Sequence, residues 1–143
     1  MSDIIALLQD RDDKKAFALT KEICAKSAAS DEYYVYFDEF IGLLTSKSSY
    51  VRTRGFLLAC SQARWDENGK LAGAMSSMLT LLNDEKPTVV RQCLGALREV
   101  VLYRPELCDT IKAEVERIDL SKYKDSMSPL IKKDMYELMK MMK

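Results

Sequence analysis

The chain has 143 residues, of which 48% are hydrophobic and 31% are charged, and its formal net charge is zero. This balance predicts one globular domain and excludes a bulk electrostatic attraction to nucleic acid or membranes. Histidine is absent, which removes the commonest general base and the commonest metal ligand.

The predicted elements are all helices. Apolar residues recur at spacings of three and four, and five Gly and three Pro are too few for the many turns of an all-β protein. Capping residues and polar turns divide the chain into eight helices. In chain order they cover approximately residues 3–8, 13–26, 31–44, 49–64, 69–82, 87–103, 105–118 and 128–143.

Three segments repeat an apolar helix end that enters a polar turn. Residues 5–10, 41–46 and 79–84 match one another at offsets of 36 and 38. After the second and third copies, Val51-Arg52 and Val90-Arg91 match at an offset of 39. Self-similarity at this period predicts stacked helix pairs, each covering the apolar face of its neighbour.

This pattern of an apolar helix, an Asn-Asp or similar turn and a following Val-Arg resembles a HEAT repeat. The resemblance is best over residues 31–104, and Ala16-Phe17 stands where Val-Arg is expected in the first unit. It implies a right-handed α-α superhelix of about four HEAT-like helix pairs in a single domain. The approximate repeats are 1–30, 31–65, 66–104 and 105–143.

The resemblance also implies roles for two arginines and for one layer of helices. Arg52 and Arg91 occupy the arginine position that bridges neighbouring repeats, with Asp84 and Asp10 as candidate partners. The second helix of each pair lines the concave face of a HEAT solenoid. The net charges of these helices are +3, +3, +2 and +2 over residues 14–26, 49–64, 87–104 and 128–143, which leaves −10 for the rest of the neutral chain.

A basic concave face has two interpretations. It can bind an anion, either a nucleic-acid backbone or an acidic peptide or helix. Alternatively, the charges are structural, because cations near helix C-termini complement the helix dipole. Winding the second helices at 3.6 residues per turn places Leu57, Arg64, Gln92, Glu99 and Tyr103 on the stripe opposite the apolar one. The partner contacts that we predict in this layer are Arg54, Leu57, Arg64, Gln92, Glu99 and Tyr103.

We therefore predict a non-catalytic protein-protein interaction module or scaffold that binds another protein on this face. One alternative is a nucleic-acid-binding protein resembling the alkylpurine DNA glycosylases, which are built from HEAT-like repeats. Another is an enzyme-associated factor, since HEAT-like repeats also occur in phycobilin lyases.

The sequence contains no recognisable catalytic, metal or cofactor motif. Cys24, Cys60, Cys93 and Cys108 form no CxxC pair and are expected to be reduced, buried thiols. The first residues lack a signal peptide pattern, and no apolar run is long enough to span a membrane, so a cytoplasmic protein is expected. A terminal repeat has no further neighbour, which predicts a monomer or an end-to-end homodimer.

Overall fold

A computed structural model of the protein describes residues 2–142 and, from residue 3 onward, their side chains. Every regular element over this range is helical, as predicted. The eight helices are α1 (Ser2–Leu8), α2 (Asp13–Ser27), α3 (Phe37–Gly42), α4 (Ser49–Ser61), α5 (Lys70–Leu79), α6 (Pro87–Tyr103), α7 (Cys108–Glu116) and α8 (Ser128–Met141). Met1 and Lys143, which belong to the first and last predicted repeats, lie outside the described residues.

The helices form two layers. In one layer α2 packs against α4, α4 against α6 and α6 against α8. In the other, α5 packs against both α3 and α7. The two layers are joined where α1 contacts α2 and where α3 contacts α4. Neighbours in sequence are therefore split between layers, and from α2 onward helices two apart in the chain lie side by side.

Two helices begin with a side-chain N-cap. The Asp12 side chain accepts a hydrogen bond from the backbone N–H of Lys15 at 3.2 Å, and α2 begins at the next residue after Asp12. The Ser48 hydroxyl accepts one from the N–H of Val51 at 3.3 Å at the start of α4. Each bond satisfies an amide that has no partner within its helix.

The third and fourth predicted helices are shorter than expected. Instead of a continuous helix over 31–44, the structure has a 3-10 turn at Tyr34–Tyr36, then α3, and a second 3-10 turn at Leu43–Thr45. Aromatic side chains lose rotamer freedom in an α-helix, and the Tyr34 hydroxyl is held by Asp66 in a neighbouring turn. The fourth helix, predicted over 49–64, is α4; it ends at Ser61 and is followed by a 3-10 turn at Ala63–Trp65.

The apolar core lies between the layers in two clusters. The smaller joins the first two helix pairs and consists of Leu8, Ile23, Phe40, Leu43, Val51 and Leu58. The larger continues from Phe37 and Phe56 through α5 and α6 to Leu138 on α8. Helix α4 contributes to both clusters and is buried over most of its circumference, because it contacts α2, α3 and α6.

Candidate partner-binding groove

The layer formed by α2, α4 and α6 carries a groove on its outer side. Helix α4 is the floor of this groove, and α2 and α6 are its walls. Ser49, Thr53, Leu57 and Ser61 follow one another at intervals of four and line the floor. Because residues four apart lie on the same side of a helix, this stripe runs along α4.

The groove contains two hollows. The first has a volume of about 370 Å³ and lies at the N-terminal ends of the three helices. Its lining is Asp13, Lys14, Phe17, Ser49, Tyr50, Thr53, Arg54, Lys86, Thr88, Val89 and Gln92. The second, of about 510 Å³, lies toward their C-terminal ends. Its lining is Thr20, Lys21, Cys24, Ala28, Leu57, Cys60, Ser61, Arg64, Gly95, Ala96, Arg98 and Glu99.

Apolar side chains are exposed beside the first hollow. Phe17 on α2 is 38% exposed and Tyr50 on α4 is 60% exposed. The ammonium of Lys21 lies 5.6 Å from the centre of the Phe17 ring, and that of Lys86 lies 6.0 Å from the Tyr50 ring. Such cation–π pairs keep a positive charge at the edge of an apolar surface.

Positive charge exceeds negative charge in the groove. Lys14 and Lys86 line the first hollow, and Lys21 and Arg98 line the second. All four are exposed, and within the described side chains none of them forms an ion pair. The carboxylates among the lining residues, Asp13 and Glu99, each pair with an arginine. The groove therefore has a surplus of four cations.

Arg54 is not the exposed contact that the sequence predicts. Its side chain is 2% exposed, and its guanidinium donates to the Leu8 carbonyl at 2.8 Å and to an Asp13 oxygen at 2.5 Å. The cause is the position of α2, whose first turn covers Arg54 and supplies the Asp13 carboxylate. Arg54 touches the first hollow from below, but its hydrogen bonds tie α4 to the first helix pair.

Three predicted residues are brought together at the far end of the groove. Arg64 donates a hydrogen bond to the Tyr103 hydroxyl at 2.6 Å, and its guanidinium lies 4.5 Å from the centre of the Tyr103 ring. Glu99 lies 3.8 Å from the same guanidinium. Arg64 also donates to the Ala28 carbonyl, where α2 has just ended. These contacts hold Arg64 in place, so its charge is largely used within the protein.

The other two predicted residues line separate hollows. Leu57 is half-buried in the floor of the second hollow. Gln92 is exposed on α6 at the first hollow. The sequence analysis included the cations of α2 in the charge of the concave face, but it named no side chain of this helix as a contact. Lys14, Phe17 and Lys21 are spaced by three and four, and this helical spacing was the available signal.

The two bridging arginines join neighbouring helix pairs. Arg52 on α4 donates to Asp84, in the turn before α6, at 2.9 Å, so one of the two candidate partners is confirmed. Arg91 on α6 donates to Asp134 on α8 at 2.6 Å, a partner that was not expected. The candidate partner Asp10 instead accepts from the backbone N–H of Asp12 at 2.8 Å.

Of the four thiols that were expected to be buried, Cys60 and Cys93 are buried, whereas Cys24 and Cys108 are half-buried. Burial raises the pKa of Cys24, against an opposing hydrogen bond from Ser61. Burial also raises the pKa of Cys60 and of Cys93 well above the ordinary value. Across residues 3–142, no three His, Cys, Asp or Glu side chains are grouped closely enough to hold a metal ion.

None of the helices between residues 2 and 142 combines the length and the apolar character that crossing a bilayer requires. No family model, curated protein or solved structure matches the chain. The groove is therefore interpreted from its own residues.

Proposed function

We propose that this chain is a HEAT-like α-solenoid that serves as a non-catalytic protein-interaction module and binds a partner protein in the groove. The observation that carries the proposal is the groove's composition. Apolar side chains on its floor and walls lie beside four cations that have no ion pair within the described side chains. Apolar surface next to uncompensated charge is typical of a binding surface.

The HEAT-like architecture is supported by repeats in sequence and by the order of helix packing. The repeated segments recur every 36 to 39 residues. Helices α2, α4, α6 and α8 pack in series, as the second helices of a solenoid do. Arg52 and Arg91 each bind a carboxylate of the next helix pair, which is the role that the resemblance implies for them.

A non-catalytic role is supported by the state of the groove's reactive groups. A thiol nucleophile requires a lowered pKa, whereas the pKa values of Cys24 and Cys60 are raised. The carboxylates of Asp13 and Glu99 are each engaged by an arginine. We therefore assign binding, and not turnover, to this surface.

Nucleic acid is the second candidate partner, since the same four cations attract phosphates. The two groove carboxylates disfavour it. Asp13 is 44% exposed and Glu99 is 35% exposed, and both would face a continuous phosphate backbone. A protein partner can place its acidic groups only opposite the cations.

The test compares capture by three versions of the protein. The groove variant carries Lys21→Glu and Arg98→Glu. The control variant carries Lys112→Glu and Lys124→Glu, which change net charge equally at exposed positions outside the groove. Circular dichroism first establishes that the three versions have equal helix content. Each version is then immobilised on a resin and incubated with lysate of the native host, with and without nuclease, at low and at high salt.

We expect a specific protein to be retained by the wild type and the control variant, and lost from the groove variant. Its retention should survive nuclease, because the contact is with protein. Nucleic acid that is recovered only at low salt would favour the second candidate, since phosphate binding weakens steeply with salt. Equal retention by all three versions would place binding outside the groove and contradict the proposal.

A further inference from the structure

We infer that the segment bound in the groove is an acidic amphipathic α-helix, lying along α4 with one apolar side chain in each hollow. This inference rests on the proposed function and adds the chemistry of the partner. It follows from the shape of the groove, from the distance between its hollows and from the placement of its cations.

The groove has the shape that receives a helix. Its floor is a single helix, α4, and its walls are the two helices on either side. The floor stripe runs from Ser49 to Ser61, twelve residues apart on α4, which corresponds to about 18 Å at helical rise. Laying the apolar face of an amphipathic helix into such a groove is a recurring mode of peptide recognition.

The two hollows are separated by about two helical turns. Thr53 in the first hollow and Ser61 in the second are eight residues apart on the floor, or about 12 Å at helical rise. In a bound helix, side chains seven or eight residues apart lie on the same face at nearly this distance. The partner's two anchors should therefore be apolar residues at positions i and i+7 or i+8.

The cations form one pair at each hollow, with one member on each side of the groove. Lys14 on α2 faces the first hollow together with Lys86, the residue before α6. Lys21 on α2 and Arg98 on α6 occupy the equivalent places at the second hollow. A complementary helix carries Asp or Glu on both flanks of its apolar stripe, within reach of these four cations.

The carboxylates in the groove specify where the partner's acids cannot lie. Asp13 and Glu99 would repel an acidic group placed directly beside them, although their arginine partners reduce this effect. A helix satisfies the pattern because its acids and its anchors occupy different faces. A nucleic-acid backbone carries a negative charge at every nucleotide, so it cannot keep its charges away from Asp13 and Glu99 in this way.

The test is a selection from a displayed library of helix-forming peptides about five turns long, random at every surface position, on the immobilised wild-type protein. The enriched peptides are then synthesised with a fluorophore. Their binding to the wild type, to Lys21→Glu/Arg98→Glu and to Lys112→Glu/Lys124→Glu is measured by fluorescence anisotropy. A fluorescent single-stranded oligonucleotide is titrated in parallel.

We expect the enriched peptides to carry apolar anchors seven or eight residues apart, flanked by Asp and Glu. Charge reversal in the groove should lower the affinity for these peptides by about tenfold or more, whereas the affinity of the control variant should remain within about twofold of the wild type. Moving one anchor to the opposite face of the peptide should abolish binding.

The inference is overturned by neutral or basic enriched peptides, by equal binding to the groove variant, by an oligonucleotide that binds more tightly, or by the absence of enrichment. The capture experiment separates this failure from failure of the proposed function. If a lysate protein is still lost only from the groove variant, the interaction module stands and only the acidic helix is wrong. If that protein is absent as well, both proposals fail.

Discussion

The two faces of the layer formed by α2, α4, α6 and α8 differ in how much room they leave for an added atom. Where α4 meets α3, a Cβ atom on Gly55 would lie 2.7 Å from the Phe40 carbonyl oxygen and 2.8 Å from Leu43 Cβ. On the groove side, a Cβ atom on Gly95 would have no neighbour within 4 Å. The first face is closed by backbone contact, and the second has room for another molecule.

The arginines of the layer show the same difference. Arg54 is buried and joined to Leu8 and Asp13, so it stabilises the fold. Arg98 is exposed on the groove wall and forms no ion pair within residues 3–142. A cation that is already satisfied inside the protein has little to offer a partner, whereas an unpaired one at a groove has both charge and access. Burial therefore separates the structural Arg54 from Arg98, for which we propose a binding role, although the two side chains are chemically identical.

The largest expected effect comes from Arg54. Arg54→Met should lower the free energy of unfolding by about 2–3 kcal/mol, because the buried Leu8 carbonyl loses its donor and the site loses packing. Urea denaturation monitored by circular dichroism measures this change. The matched substitution Arg98→Met should stay within about 0.5 kcal/mol of the wild type. Equal losses in the two variants would show that the two arginines do not differ in role.

Two glycine substitutions sharpen the contrast between the closed and the open face. Gly55→Ala should destabilise the protein by about 1–3 kcal/mol, because one of the two close atoms belongs to the backbone and cannot rotate away. Gly95→Ala should stabilise it by up to about 1 kcal/mol, because alanine is favoured over glycine within a helix. Thermal and urea unfolding of both variants provide the measurement. A loss of stability in Gly95→Ala would mean that the groove side of α6 is more tightly packed than its geometry indicates.

A smaller effect is expected at Tyr34, in the 3-10 turn that precedes α3. Its hydroxyl donates to the buried Asp66 carboxylate at 2.5 Å, and burial, followed by this hydrogen bond, raises the pKa of Tyr34. Tyr34→Phe should cost about 1 kcal/mol at neutral pH through the lost hydrogen bond.

The raised pKa also predicts a dependence on pH with a definite sign. An unfolded tyrosine has a pKa of about 10, so Tyr34 contributes fully to stability below that pH. Above it, the unfolded state releases the proton first, and this contribution declines as the pH rises toward the folded-state pKa. Urea denaturation between pH 8 and 11 should therefore show a shallower alkaline decline for Tyr34→Phe than for the wild type. The control is Tyr136→Phe, because the Tyr136 side chain is 62% exposed. This substitution should leave the dependence of stability on pH as it is in the wild type.

The smallest expected effect concerns the rate at which the thiols react with maleimide, which should be low in the native protein. Cys24 lines the groove but is partly buried, and its raised pKa leaves little thiolate at pH 8. We expect maleimide to modify the half-buried Cys24 and Cys108 slowly, and the buried Cys60 and Cys93 only after unfolding. Mass spectrometry of timed samples measures the order. A fast reaction at Cys24 in the native protein would favour a catalytic thiol and count against a purely binding groove.

Much of the local structure could be predicted because it depends on nearby residues. Asp12 and Ser48 belong to the residue types that cap helices, and each accepts a hydrogen bond from the amide three residues later. The pairing of Arg52 with Asp84 could be anticipated from the repeat. The third helix could not be predicted correctly, because its first turn is altered by the contact between Tyr34 and the distant Asp66.

The candidate site was predicted in part. Helical periodicity correctly placed Leu57 and Gln92 on the groove side, because the position of a residue around its own helix depends only on sequence spacing. It could not show which of the cations on α2 line the groove, since the packing of α2 against α4 is a contact between residues about 40 positions apart.

Sequence alone thus determined that the chain is all-helical, where most helices begin, and which residues share a helix face. Tertiary structure alone decided which of those faces are open. Arg54 lies on α4 and Arg64 in the 3-10 turn that follows it, yet Arg54 is covered by the first turn of α2 while Arg64 remains partly exposed beside Tyr103. The reason is physical: spacing along a helix sets the direction of a side chain, but burial depends on the neighbouring helix that packs over it.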